Sequence, residues 1–209
     1  MILQRLKLAT RERHVTIESH SVLLDPQLSL PAYRDSLTRF LGYYAPLEIR
    51  LLTALSVHKA DFAYNERYKC SQLKDDLVAL GVAPHAVAQT PHCQALPDLG
   101  TPAKLFGCLY VLEGATLGGQ IITRHLHASL GLTPQSGSAF FSGYGQHTGS
   151  RWKEFCAHLA AFAAQSDSDL EIVDSANATF DSLDRWLYPK KTTTTTTTKP
   201  ITYEPAAHA

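Results

Sequence analysis

The sequence has no surplus of either charge. Lysine and arginine number 19 and aspartate and glutamate number 19 among 209 residues, so the formal net charge is zero. Nucleic-acid binders normally carry a basic excess to neutralise phosphates, and none is present. A long apolar run is also missing. Leu105 to Leu112 is interrupted by Gly107 and stopped by Glu113, well short of the ~20 residues a membrane span needs. The N-terminal run Met1-Ile2-Leu3-Gln4-Arg5 turns polar at once and offers no signal-peptide core. The four cysteines, Cys70, Cys93, Cys108 and Cys156, show no CxxC spacing and read as reduced thiols in the cytoplasm. No stretch alternates convincingly with period two, and no hairpin signal joins two β-rich runs. Glu-x-x-His is absent as well, which argues against a carboxylate-bridged di-iron bundle.

What is present is helical periodicity over an apolar content of 44%, enough for a proper core. Tyr33, Leu37, Phe40, Tyr44, Leu47, Leu51 and Leu55 recur at steps of three and four and form one stripe. Pro31 suits that helix's first turn, and Pro46 is expected to kink or split it. Leu73, Leu77 and Leu80 predict a shorter helix stopping at Gly81. Thr101 and Pro102 open a long helix that Gly131 closes. Ser168 and Glu171 have capping-box spacing ahead of Ile172, Ala176, Phe180, Leu183 and Leu187. The fold class is all-α, a single helical domain over residues 1–188. From Pro189 to Ala209 the chain carries seven consecutive threonines and reads as a low-complexity, mobile tail.

Two features inside the helices need explaining. The long helix contains Gly107, Gly114, Gly118 and Gly119, each costing ~1 kcal/mol relative to alanine. Gly107, Val111, Gly114 and Gly118 share one face that is almost bare of side chains. Either another helix packs tightly there or a flat ligand lies across it, with a kink at Gly118–Gly119 in both cases. The first helix carries Lys7, Arg11 and His14 at i, i+4 and i+7, on one side. An ordinary solvated face is one account. The other is an anionic ligand whose charged arms reach the two cations while a metal binds the imidazole. Haem combines a planar macrocycle, two propionates and an iron.

The run Leu6-Lys7-Leu8-Ala9-Thr10-Arg11-Glu12-Arg13-His14 resembles the proximal helix of haem oxygenases. The run Tyr110-Val111-Leu112-Glu113-Gly114-Ala115-Thr116-Leu117-Gly118-Gly119-Gln120 resembles their glycine-rich distal helix. Phe140-Phe141-Ser142-Gly143-Tyr144-Gly145, followed by Trp152-Lys153, is similar to the segment opening a later helix. The likeness is greatest to the bacterial branch that supplies biliverdin to bacteriophytochromes. The resemblance implies a haem-oxygenase-like helical bundle and an enzyme for which haem is both substrate and cofactor. It cleaves haem to biliverdin, carbon monoxide and ferrous iron, using dioxygen and electrons from a ferredoxin or a flavin/NAD(P)H reductase. By position, the resemblance makes His14 the iron ligand and gives the propionates to Lys7, Arg11 and Lys153. It also sets Gly114 and Gly118 on the distal face, makes Tyr44 an organiser of distal water and packs Phe180 on the haem.

The motif is incomplete in one respect. Many relatives place an aspartate where this chain has Ala115, and some an asparagine where it has Leu183. Glu113 is one residue away, but a helix turns ~100° per residue, so its carboxyl is not expected to substitute. Water is then expected to be held by backbone and by Tyr44, with a proximal histidine that lacks a strongly anionic partner. The same departure motivates an alternative, a haem-binding storage or sensor protein without turnover. A purely structural helical domain is the third reading.

Overall fold

The computed structural model describes residues 1–60 and 62–189. The threonine-rich segment expected to be mobile lies, beyond Pro189, outside the described residues. Among the described residues every regular element is helical: α1 (Ile2–Ala9), α2 (Arg11–His20), α3 (Leu30–His58), α4 (Cys70–Ala79), α5 (Pro84–Ala88), α6 (Pro102–Leu130), α7 (Ala139–Ser142), α8 (Thr148–Gln165) and α9 (Asp169–Leu187). Short helical turns at Tyr64–Arg67 and Gly145–His147 precede α4 and α8.

The long helices begin and end where local chemistry satisfies their free backbone groups. Ser29 accepts the Ala32 N–H ahead of Pro31, and Thr101 accepts the Lys104 N–H ahead of Pro102. Gly131 closes α6 in the left-handed region at φ 67°. After α4, Gly81 and Val82 donate back to Val78 and Leu77, a Schellman closure. Pro46 does not split α3, which runs on to His58. The capping box expected at Ser168 does not form. The Ser168 hydroxyl pairs with Ser166 at 2.7 Å, and the Glu171 carboxylate instead accepts from Thr101 at 3.0 Å, tying the starts of α6 and α9 together.

α6 is the axis of the bundle and packs most extensively on α9, then on α7, α8 and α3. By length and composition it could cross a membrane. Its Leu105, Phe106, Cys108, Leu109, Val111 and Leu112 are nevertheless buried among the other helices. The expected kink at Gly118–Gly119 does not interrupt it, since helix continues to Leu130. Gly107 and Gly119 are the points of closest approach. A Cβ at Gly107 would overlap the Ile172 carbonyl oxygen of α9, and one at Gly119 the Phe141 carbonyl oxygen of α7.

The first expected helix is two. It breaks at Thr10, whose hydroxyl donates to the Leu6 carbonyl at 2.8 Å and whose backbone departs from regular helix at φ −97° and ψ −4°. Such back-bonding bends a helix, so Lys7 on α1 and Arg11 and His14 on α2 do not share one straight face.

Gly107→Ala and Gly119→Ala are expected to destabilise the fold by about 1–3 kcal/mol each, because backbone must move to admit a methyl. Thermal unfolding measures this as a melting temperature lower by several degrees, on the order of 2–4 °C per kcal/mol.

Candidate haem site

The glycines of α6 divide into two classes. Those at 107 and 119 seat neighbouring backbone. A Cβ at Gly118 would meet nothing within 4 Å, and one at Gly114 only the Trp152 ring, at 3.7 Å. That bare stretch forms one wall of a cavity of ≈ 300 Å³. The glycines therefore divide: packing accounts for Gly107 and Gly119, while Gly114 and Gly118 border open space and the Trp152 ring.

The lining also draws on Thr10 and on α2 and α9, with His14, Ile17, Phe180 and Leu183 among its residues. The His14 ring meets Phe180 edge to face, with centroids 5.8 Å apart. Its Nδ1 is 3.3 Å from a Glu18 carboxylate oxygen, one helical turn on, which leaves Nε2 as the nitrogen available to a metal. This corrects the expectation of a histidine without an anionic partner. The correction is modest in energy, because the two side chains are 56% and 64% exposed and water screens the pair. Among the described residues no three His, Cys, Asp or Glu side chains cluster as a metal site, so His14 is a single-ligand candidate.

Tyr44 is buried and lines the cavity floor with Phe40, Phe140 and Phe141. Its ring meets Phe140 at 5.4 Å. Burial, with Glu48 adding to it, pushes the Tyr44 hydroxyl well above its ordinary range, so it remains a neutral donor and acceptor. Phe140 and Phe141 are placed by Asp76 of α4, whose carboxylate accepts the Ala139 and Phe140 N–H groups at 2.8 Å each. Burial pushes the Asp76 carboxyl up to about 6 despite those two bonds.

The three cations assigned to propionates sit apart from the cavity wall. Lys7, Arg11 and Lys153 are exposed and none contributes to the lining, where Trp152 of α8 stands in place of its neighbour Lys153. Ala115 and Leu183 both line the wall, so it has no polar side chain at those positions. Glu113 points elsewhere. It is 1% exposed, accepts from Tyr144 Oη at 2.9 Å and is ion-paired with Arg67, as a ~100° turn away from Gly114 requires.

Four further residues contribute to the site. Lys69 lines the cavity although only 4% exposed, and nothing in Tyr68-Lys69-Cys70 announces a buried lysine. Trp152 and Tyr110 meet at a tilt across the α6–α8 contact, with ring centroids 5.8 Å apart. Glu18 was available from its i, i+4 spacing to His14.

Comparison with known proteins bears on the same residues. No curated protein matches the chain. Three solved structures share its fold. Haem oxygenase from Leptospira interrogans superposes with a TM-score of 0.73 at 18% identity, covering 90% of this chain and 98% of the other. The NO- and CO-bound haem oxygenase from Neisseria meningitidis gives 0.74 at 20% identity, with 90% of each chain covered. Haem oxygenase 2 from Chlamydomonas reinhardtii, solved without haem, gives 0.71 at 21%, covering 90% and 97%. The family model described as Heme oxygenase matches residues 1–188. The chain belongs to the haem oxygenase family, and membership implies degradation of haem to biliverdin, carbon monoxide and iron.

Proposed function

We propose that this chain is a reductant-dependent haem oxygenase in which His14 Nε2 holds the iron and Gly114 and Gly118 lie against the opposite face of the macrocycle. The observation that carries the proposal is the cavity between an imidazole and a bare helix. A planar group fits that gap because the Cβ positions that would fill it are absent. Bound haem supplies both the iron that activates dioxygen and the macrocycle that is cleaved.

The chain's own residues orient and enclose it. Glu18 stands 3.3 Å from His14 Nδ1 and biases the ring toward presenting Nε2 to the cavity. Phe180 limits rotation of the imidazole. Phe40, Phe140 and Phe141 exclude bulk water from the floor, and Tyr44 presents a hydroxyl to any water held there. Without backbone clearance at Gly118 the macrocycle could not approach the helix. Propionates would be held at the mouth by Lys7, Arg11 and Lys153. Each stands close in sequence to a wall residue (Thr10, His14 and Trp152), and none forms an ion pair among the described residues.

The finer parts of the reading rest on the motifs quoted above. On that likeness we read the chain as a member of the branch that makes biliverdin for a bacteriophytochrome, and a ferredoxin or a flavin/NAD(P)H reductase would suit as electron donor. A cytoplasmic location is supported by four unpaired thiols, three of them buried. Ala115 and Leu183, apolar on the wall, favour one competing reading, haem storage or sensing without turnover.

Haemin, dioxygen and a ferredoxin–reductase system should bleach the Soret band and yield bilin absorbance. A Soret band that persists under reduction would establish the storage reading and overturn this one. His14→Ala should weaken haem binding by at least about tenfold, a loss of ~1.4 kcal/mol or more, measured by Soret titration. An unchanged affinity would remove His14 as ligand. Gly118→Ala should leave the melting temperature equal or higher, since alanine gains ~1 kcal/mol of helix propensity and the methyl meets no neighbour. The same variant should bind haem more weakly, the reverse of Gly107→Ala, whose effect falls on folding.

A further inference from the structure

Lys69 is a buried cation with no acceptor of its own. The residue is 4% exposed and lines the cavity. Its ammonium stands 3.4 Å from the centroid of the Tyr144 ring. Among the described residues it makes no hydrogen bond and no ion pair, although lysine offers three donors. Burying a charge without such partners is costly, yet the fold fixes the residue firmly. The Lys69 N–H donates to Glu48 Oε1 at 2.7 Å, and the same carboxylate takes the Cys70 N–H and the Tyr64 hydroxyl. Tyr144, the seat of the ammonium, is held by Glu113, and Glu113 by Arg67, which reaches Glu154 at 2.9 Å.

We propose that Lys69 is the polar positioning residue of the cavity, its ammonium donating to water and small anions held over the bare face of α6. The wall residues Ala115 and Leu183 offer nothing polar there, and Glu113 is turned away and engaged. Among the described residues Lys69 is the only lysine or arginine in the lining, so its free donors, with the hydroxyl of Tyr44, can hold a water or an anionic oxygen. The inference rests on the haem reading for its ligand, but the state of Lys69 in the haem-free protein does not.

The charge on Lys69 is set by groups from every side. Burial pulls its pKa down to about 8, Glu113 of α6 and Glu48 of α3 oppose that, and Arg67 and Arg151 reinforce it. Tyr144 lies against the ammonium and Tyr44 lines the same cavity, and burial keeps both neutral. The side chain is therefore a cation below about pH 8 and a neutral amine above it, unlike an exposed lysine.

Two measurements test this on the full chain. In the haem-free protein with isotope-labelled lysine, one side-chain amine should titrate with a midpoint near 8, and its resonance should vanish in Lys69→Arg. If every lysine titrates in the ordinary range near 10.4, the proposal fails. In the ferric haem complex at pH 6.5, with azide as the anionic probe, Lys69→Met should weaken azide binding at least about tenfold, the scale of a lost charge-assisted hydrogen bond. Lys69→Arg should remain nearer the native affinity, with the Soret position and melting temperature showing that both variants fold and load. Equal azide affinity in the native and Met proteins would overturn the proposal. Failure to bind haem at all would instead defeat the functional reading and leave the lysine titration to decide.

Discussion

The site depends on how closely α6 is pinned at two points along its length. At Gly107 the backbone of α9 lies against it, and at Gly119 the backbone of α7 does. Those two contacts hold the helix in place, so the segment between them need not be supported by side chains of its own. Gly114 and Gly118 can then remain bare, at a cost of ~1 kcal/mol each in helix propensity. A single helix thus uses the same residue type for two opposed purposes, contact and clearance. Helix packing accounts for the first, and the proposed ligand would account for the second.

Electrostatics divide the cavity in a related way. On the α2 side, His14 and Glu18 are largely solvated, so their pairing orients a ring more than it stabilises the fold. Beyond α6, Arg67, Glu113, Glu154 and Tyr144 form a network whose central pair is 1% exposed on both sides. Breaking one partner of such a pair leaves an uncompensated buried charge. The network holds the ring on which the Lys69 ammonium rests.

Much of the fold was legible in the chain. Ser29 and Thr101 as caps, Gly81 and Gly131 as stops, and the Tyr33–Leu55 stripe all follow from period and local backbone chemistry. The break at Thr10 was not legible, because a buried threonine that bonds back to Leu6 looks like any other in sequence. The capping box failed at Ser168 because Glu171 found a tertiary partner in Thr101, which spacing cannot anticipate. Within the site, the His14 and glycine motifs located both walls, and the helical turn correctly turned Glu113 away. Spacing could not separate Gly107 from Gly118, since the two differ only in what stands opposite. Nor could it reveal Lys69, whose burial arises from residues in α3, α6 and the loop after α7.

The most direct test is a crystal structure of the haemin-loaded protein with the iron located by anomalous scattering. The iron should lie within bonding distance of His14 Nε2, with the macrocycle in van der Waals contact with the Gly114 and Gly118 backbone. An iron bound elsewhere, or a macrocycle that leaves those two glycines uncovered, would contradict the account.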